Sequence, residues 1–138
     1  MDSHDITEFN AQWPTHGRVS SNFGRRYLRK HEGIDIAAPK GNNIYPTAPG
    51  VVSFVGWQNG YGKVVIIKHY NGLESLYAHC SKIVAKKGSR VHRGSIIAKV
   101  GQTGNATGPH VHFEIRDKNS DPINPRVFLD SHKKFARK

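Results

Sequence analysis

Short apolar runs alternate with turns along this chain, and helical periodicity is nearly absent. The runs are "NIYPTAPG", "VVSFVGW", "KVVIIKHY", "LESLYAHC", "SIIAKVG" and "HVHFEIR". They are rich in Val, Ile, Tyr and Phe, which favour strands over helices. The connectors between them, such as "QNGYGK", "YNGLE", "KKGSR" and "QTGNATGP", carry the Gly, Asn, Pro and Ser that turns require. "YNGL" between "VVIIKH" and "LESLYAH" predicts a hairpin. Only "NPRVFL" gives a weak helical signal. Many short strands at this spacing imply an all-β domain, a barrel or a sandwich. No internal repeat and no linker interrupts the pattern, so residues 1–138 read as one domain. Residues 1 to about 15 and 130–138 are expected to be loosely held ends.

The alternation is most informative in "GPHVHFEI", residues 108–115. Residues i and i+2 of a strand share a face and lie ~6.6 Å apart. His110, His112 and Glu114 therefore share one face, and Val111 and Phe113 take the other. Such a histidine pair is either half of a metal site or an ordinary polar strand face.

Partners are available elsewhere. "HEGIDIAAP" offers His31 and Asp35. Its "IDIA" alternation, Gly33 and Pro39 argue against a helix. Fully extended, the two residues would lie ~13 Å apart, too far to share an ion with ligand bonds of ~2 Å. They can meet only if the chain turns between them, a freedom expected of Gly33. His31 is then expected in a loop and Asp35 at the start of a strand; an unrelated surface histidine and a turn aspartate remain the alternative. His79 ends the apolar strand "SLYAHC", a position that by default is partly buried and satisfied. Cys80 beside it should face the other way and pack. Two imidazoles, one carboxylate and an open position for water make a catalytic zinc pattern.

Composition narrows the setting. A chain of 138 residues buries roughly two-thirds of its unfolded surface, and its single cysteine excludes an internal disulfide framework. Twenty-one Lys and Arg against ten Asp and Glu give a net charge of +11. This suggests a polyanionic environment, with simple solubility as the plain alternative. The basic clusters "GRRYLRKH", "AKKGSR" and "HKKFARK" are small and not interleaved with aromatics, so nucleic acid is not expected as a partner. No apolar run approaches the ~18 residues of a membrane span. The N-terminal "MDSHDITEFNAQWP" is acidic and polar, unlike a signal peptide. The chain is thus either cytoplasmic or a mature or excised piece.

In order, "GRVSSNFGRR", "HEGIDIAAPKGNNIYPTAPGVV", "GYGKVVIIKHYNGLESLYAHCSKI", "VHRGSIIAKVGQTGNATGPHVHFEI" and "DPINP" closely resemble the lysostaphin-type (LytM-type) zinc metallopeptidases that act on peptidoglycan. The resemblance covers about residues 17–129. It implies a twisted antiparallel β sheet with additional strands packed over it and an active cleft along the sheet. It implies one zinc ion held by His31, Asp35 and His112, with His79 and His110 beside the metal as acid–base residues. Zinc would lower the pKa of its water and polarise the scissile carbonyl; the two histidines, ordinarily titrating near 6.5, suit the proton transfers. Tyr77 is a candidate for orienting substrate or else a core-edge aromatic, Glu114 for bracing a histidine or else a surface salt bridge, and Asn22 for approaching the metal.

The implied function is hydrolysis of peptide bonds in peptidoglycan stem peptides or cross-links. The plain hairpin loops and the lack of a wall-targeting module incline the reading toward bonds to D-amino acids. The alternative is a LytM-type regulator that activates cell-wall amidases; such members have lost metal ligands, whereas all five positions are present here. The expected setting is the periplasm, cell wall or exterior, with peptidoglycan as the partner and the chain a monomer.

Overall fold

The computed structural model describes residues 9–26 and 29–129. Residues 1–8 and 130–138, where loose ends were expected, and Tyr27 and Leu28 of the "GRRYLRKH" segment lie outside the described residues. The strands in chain order are β1 (Arg18–Ser21), β2 (Gly24–Arg26), β3 (Arg29–His31), β4 (Ile34–Ala37), β5 (Asn43–Ile44), β6 (Gly50–Gln58) and β7 (Gly62–Lys68). They continue as β8 (Glu74–Cys80), β9 (Lys82–Ile83), β10 (Arg90–Val91), β11 (Ala98–Lys99), β12 (His110–Arg116) and β13 (Pro122–Ile123). "NPRVFL" forms one helical turn over residues 126–129.

An eight-stranded antiparallel sheet runs in the order β1-β4-β12-β8-β7-β6-β10, with β13 added beside the far end of β12. A three-stranded sheet, β5-β11-β9, and a β2-β3 ribbon complete the fold. The expected antiparallel sheet with extra strands is therefore present, and it stays open rather than closing into a barrel. The expected "YNGL" hairpin joins β7 to β8: His69 N–H donates to Leu73 O at 2.9 Å, and Gly72 takes φ +87° at the bend. Two expected strands are shorter than their apolar runs. In "NIYPTAPG" only Asn43–Ile44 and the closing Gly50, which opens β6, pair, because Pro46 and Pro49 have no N–H to give a ladder. In "SIIAKVG" the strand is only Ala98–Lys99, with Gly101 in a single bridge to His110, although Ile97 and Val100 are fully buried.

The two faces of the large sheet differ in chemistry. One face carries Ile34, Ile36, Val65, Ile67, Tyr77, Val111, Phe113 and Ile115 into a core closed by Ile44 and Ala98 of the small sheet. Burying each such Ile or Phe side chain is worth about 1.5–3 kcal/mol. Phe9, Ala11, Phe128 and Leu129 join the same core. The chain is thus packed from Phe9 onward rather than loose to residue 15: the Phe9 ring sits edge-on to Phe128 and His69. The other face carries a small apolar cluster, Val64, Ile66, Leu76 and Ala78, flanked by Phe54 and Tyr61. Beside that cluster the polar residues of β12 and β4 converge.

Candidate metal centre

Antiparallel pairing of β12 with β4 sets His112 opposite Asp35 and Val111 opposite Ile36. Val111 and Phe113 are fully buried in the core, so period-two alternation puts His110, His112 and Glu114 on the opposite face, as the sequence implies. His31 comes from the end of β3, a strand rather than the expected loop. Its Nε2 lies 3.3 Å from Asp35 Oδ1. His112 Nδ1 lies 2.8 Å from the same oxygen, and His110 Nε2 3.7 Å from it. One ligand atom each from His31, Asp35 and His112 fall within 4.8 Å of one another.

Gly33 brings the two segments together, but not through backbone freedom. Its φ lies outside the left-handed region, whereas a Cβ there would stand 2.3 Å from Phe113 O and 2.9 Å from Glu114 Cγ. What the turn between His31 and Asp35 requires is the absence of a side chain, so that the chain can lie against β12.

Each histidine has one nitrogen tied by a neighbour. Nδ1 of His31, His79 and His110 lies 2.8, 2.7 and 2.9 Å from the carbonyls of Asn22, Thr103 and Gly108 respectively. A carbonyl can only accept, so each Nδ1 carries the proton and each Nε2 is left for the site. His112 is oriented the other way. Its Nε2 bonds Glu114 Oε2 at 2.8 Å, which turns Nδ1 toward Asp35. Two nitrogens, each held from behind by Asn22 or Glu114, and the Asp35 carboxylate suit zinc, a borderline cation that takes such mixed donors.

The carboxylates set the electrostatics. Burial works against ionisation of Asp35, but the hydrogen bond from His112 and the charges of His112, His31 and His110 outweigh it and hold its carboxyl below the usual range. Burial likewise opposes charge on His112, yet Asp35 and Glu114, one at each ring nitrogen, push its pKa up to about 9. The centre is therefore built to surround positive charge. Glu114 is fully buried. Its Oε1 takes Nε and Nη2 of Arg116, both at 2.8 Å, and its Oε2 takes His112 and the hydroxyl of Tyr61. Burial opposes its charge, but the bonds from His112 and Tyr61 and the nearby positive groups keep it ionised.

His79 stands at a bulge. Lys63 pairs with Cys80 and Val65 with Tyr77, so Ala78 and His79 together face Val64 alone. His79 has φ +64°, a left-handed conformation that costs a non-glycine residue on the order of 1–3 kcal/mol. Its ring lies 4.8 Å from that of His110, centroid to centroid. Burial, first of all, lowers its pKa, which favours the neutral ring.

Two expected residues belong elsewhere. Tyr77 does not face the site. It is fully buried in the core, with its hydroxyl bonded to Thr47 N–H at 2.9 Å and Ser75 Oγ at 2.7 Å. Alternation would place Tyr77 on the face of His79, and the bulge breaks that count. Asn22 contributes its main-chain carbonyl to His31, while its side-chain oxygen accepts from Arg126 at 3.3 Å. Cys80 packs in the core as expected, its thiol pushed up to about 12 by burial. One site residue has no distinguishing signal in the sequence. Tyr61, in the "NGYGK" turn, stacks on His112 with centroids 5.5 Å apart and planes at 21°.

The large antiparallel sheet thus presents a histidine–aspartate–histidine cluster that could hold a metal ion. The chain belongs to peptidase family M23, whose model matches residues 29–125. It is 45% identical over 123 residues to the DD-carboxypeptidase/endopeptidase Mpg of Neisseria gonorrhoeae, covering 85% of this chain and 28% of that protein. It is 40% identical over 119 residues to the murein hydrolase activator NlpD of Escherichia coli, covering 86% of this chain and 31% of that protein. The chain thus spans about a third or less of these relatives. Among solved structures, the antimicrobial peptidase lysostaphin of Staphylococcus simulans superposes with a TM-score of 0.81 at 31% identity, over 88% of this chain and 52% of that one.

Proposed function

We propose that this domain is a zinc-dependent endopeptidase acting on the peptide portion of peptidoglycan. The observation that carries the reading is the complete constellation: three donors within 4.8 Å of one another, with two further imidazoles at their side. His31, Asp35 and His112 would hold the ion. When bound, zinc would polarise the scissile carbonyl and lower the pKa of water toward about 7. The remaining work falls to this chain's residues. His79 and His110, each held by a carbonyl at Nδ1, present Nε2 and divide the two proton transfers, one from the attacking water and one to the leaving amine. Glu114, braced by Arg116 and Tyr61, keeps His112 in the tautomer that offers Nδ1.

Similarity to Mpg and the unadorned hairpin turns favour bonds to D-amino acids as the substrate class. The net charge of +11 would draw the domain to anionic wall polymers, an attraction that weakens as salt shortens the Debye length. On this reading the domain works where it meets peptidoglycan, in the periplasm, the wall or outside the cell; no helix among the described residues is long and apolar enough to cross a membrane.

Similarity to NlpD supports a second reading, a murein hydrolase activator that leaves the bond-breaking to another enzyme. Incubation with purified walls separates the two. The endopeptidase reading expects about one zinc per chain and peptides whose mass spectra identify the cleaved bond, with release stopped by a chelator and restored by zinc. Walls left intact, with stimulation of an added amidase, would establish the activator instead.

A further inference from the structure

Thr103 lies in the turn before β12, outside the cluster of site residues, yet it is bound closely to His79. Its carbonyl takes His79 Nδ1–H at 2.7 Å, and its own N–H lies 3.4 Å from His79 O. Its hydroxyl does something different. Oγ1 accepts Lys63 N–H at 3.1 Å and donates to Cys80 O at 2.7 Å. Lys63 and Cys80 are register partners across β7 and β8, at the bulge that carries His79. The hydroxyl therefore bridges two main-chain groups that a regular ladder would pair with each other. It closes the sheet around the left-handed residue.

The turn is seated tightly enough to do this. A Cβ on Gly104 would stand 2.5 Å from Gly62 N, and one on Gly62 2.5 Å from Thr103 Oγ1. Both glycines have positive φ, +73° and +71°. Asn105 N–H donates to Gly60 O at 2.9 Å, and His79 N–H to Tyr61 O at 2.8 Å. Two glycine turns thus lock together with His79 between them.

We propose that Thr103 is the positioning residue of His79: its carbonyl selects the Nδ1–H tautomer, and its hydroxyl holds the bulge that aims Nε2 at the metal centre. The proposal rests on the hydrolytic reading of that centre. Thr103→Val keeps the branched shape and the carbonyl but loses both hydroxyl bonds, and Thr103→Ser restores them.

In nitrogen-15 spectra of the full chain at alkaline pH, where the ring is neutral, the unmodified protein and Thr103→Ser should show His79 as the single Nδ1–H tautomer. Thr103→Val should show a mixture, because without the two hydroxyl bonds the bulge no longer holds Nδ1 of His79 against the retained Thr103 carbonyl. Thr103→Val should also bind zinc as the unmodified chain does, while its kcat falls about tenfold or more at unchanged KM, part of the roughly 10²–10⁴-fold that a general acid–base group supplies. Thr103→Ser should recover turnover to within about twofold of the unmodified chain, since the general acid–base contribution is restored. An unchanged His79 tautomer in Thr103→Val, or equal losses in the Val and Ser variants, would overturn the proposal. An unmodified chain that hydrolyses no wall peptide would sink the hydrolytic reading, and the tautomer comparison alone would then decide the role of Thr103.

Discussion

Glu114 Oε2 sits 2.8 Å from Nε2 of His112, on the side of the ring away from Asp35. These two residues of one strand share a face, so a fully buried carboxylate decides which nitrogen its neighbour offers. The carboxylate is itself satisfied by a two-pronged Arg116 and by the Tyr61 hydroxyl, which makes the arrangement stiff rather than adjustable.

Glu114→Gln should therefore weaken zinc binding without emptying the fold. The amide keeps the volume but places an N–H where His112 or Arg116 needs an acceptor. A loss of about 10–100-fold in zinc affinity is expected, the usual effect of removing a carboxylate behind a metal-binding histidine. Competition against a chromogenic chelator measures it. Unchanged affinity would show that His112 holds its tautomer without Glu114.

The two histidines of "HVH" should separate cleanly. His112→Ala is expected to abolish stoichiometric zinc. His110→Ala is expected to retain zinc and lose turnover by about 10²–10⁴-fold. Metal analysis beside a peptidoglycan release assay distinguishes them. A zinc-free His110→Ala protein would reverse the assignment, and the 3.7 Å between His110 Nε2 and Asp35 would then mark a ligand pair.

How far the sequence reaches is set by which contacts are local. The face shared by His110, His112 and Glu114 follows from period-two alternation against Val111 and Phe113, and it holds. Tyr77 and His79 obey the same spacing, but the bulge opposite Val64 puts Ala78 and His79 both on the site face and returns Tyr77 to the core. A bulge depends on register with β7, which no local pattern records. Tyr61 reaches Glu114 across 53 positions and is equally hidden. Gly33 was legible as a special position, though for the wrong reason: freedom of φ and lack of a Cβ are the same letter in a sequence. Phe9 and Ala11 join the core from a segment whose polar neighbours disguise it.

Gly33→Ala tests the close approach directly. The added Cβ would meet the Phe113 carbonyl at 2.3 Å, a main-chain atom that cannot swing aside. β4 must shift from β12, taking Asp35 away from His112. A loss of about 1–3 kcal/mol in stability is expected, as for other overpacked sites, together with weaker zinc binding. Urea denaturation in chelator reads the first effect and dye competition the second. An alanine variant matching the parent in both would show that the β4–β12 contact is slack.

His69, which makes none of the contacts of the candidate metal centre, should make the fold acid-sensitive. The ring is buried, with Nδ1 2.8 Å from Pro49 O and Nε2 2.8 Å from Ser75 Oγ. Burial lowers its pKa, only partly offset by the Pro49 carbonyl. The unfolded chain takes up this proton near pH 6.5, the folded chain only at lower pH. Between those points the unfolded state binds more protons, so stability falls as the pH drops below about 6.5 and levels off beneath the folded-state pKa. His69→Gln keeps a polar group for Ser75 and cannot titrate. Its denaturation midpoint, followed in chelator from neutral to mildly acid pH, should fall less than that of the parent. Parallel curves for the two proteins would remove His69 as the source of acid sensitivity.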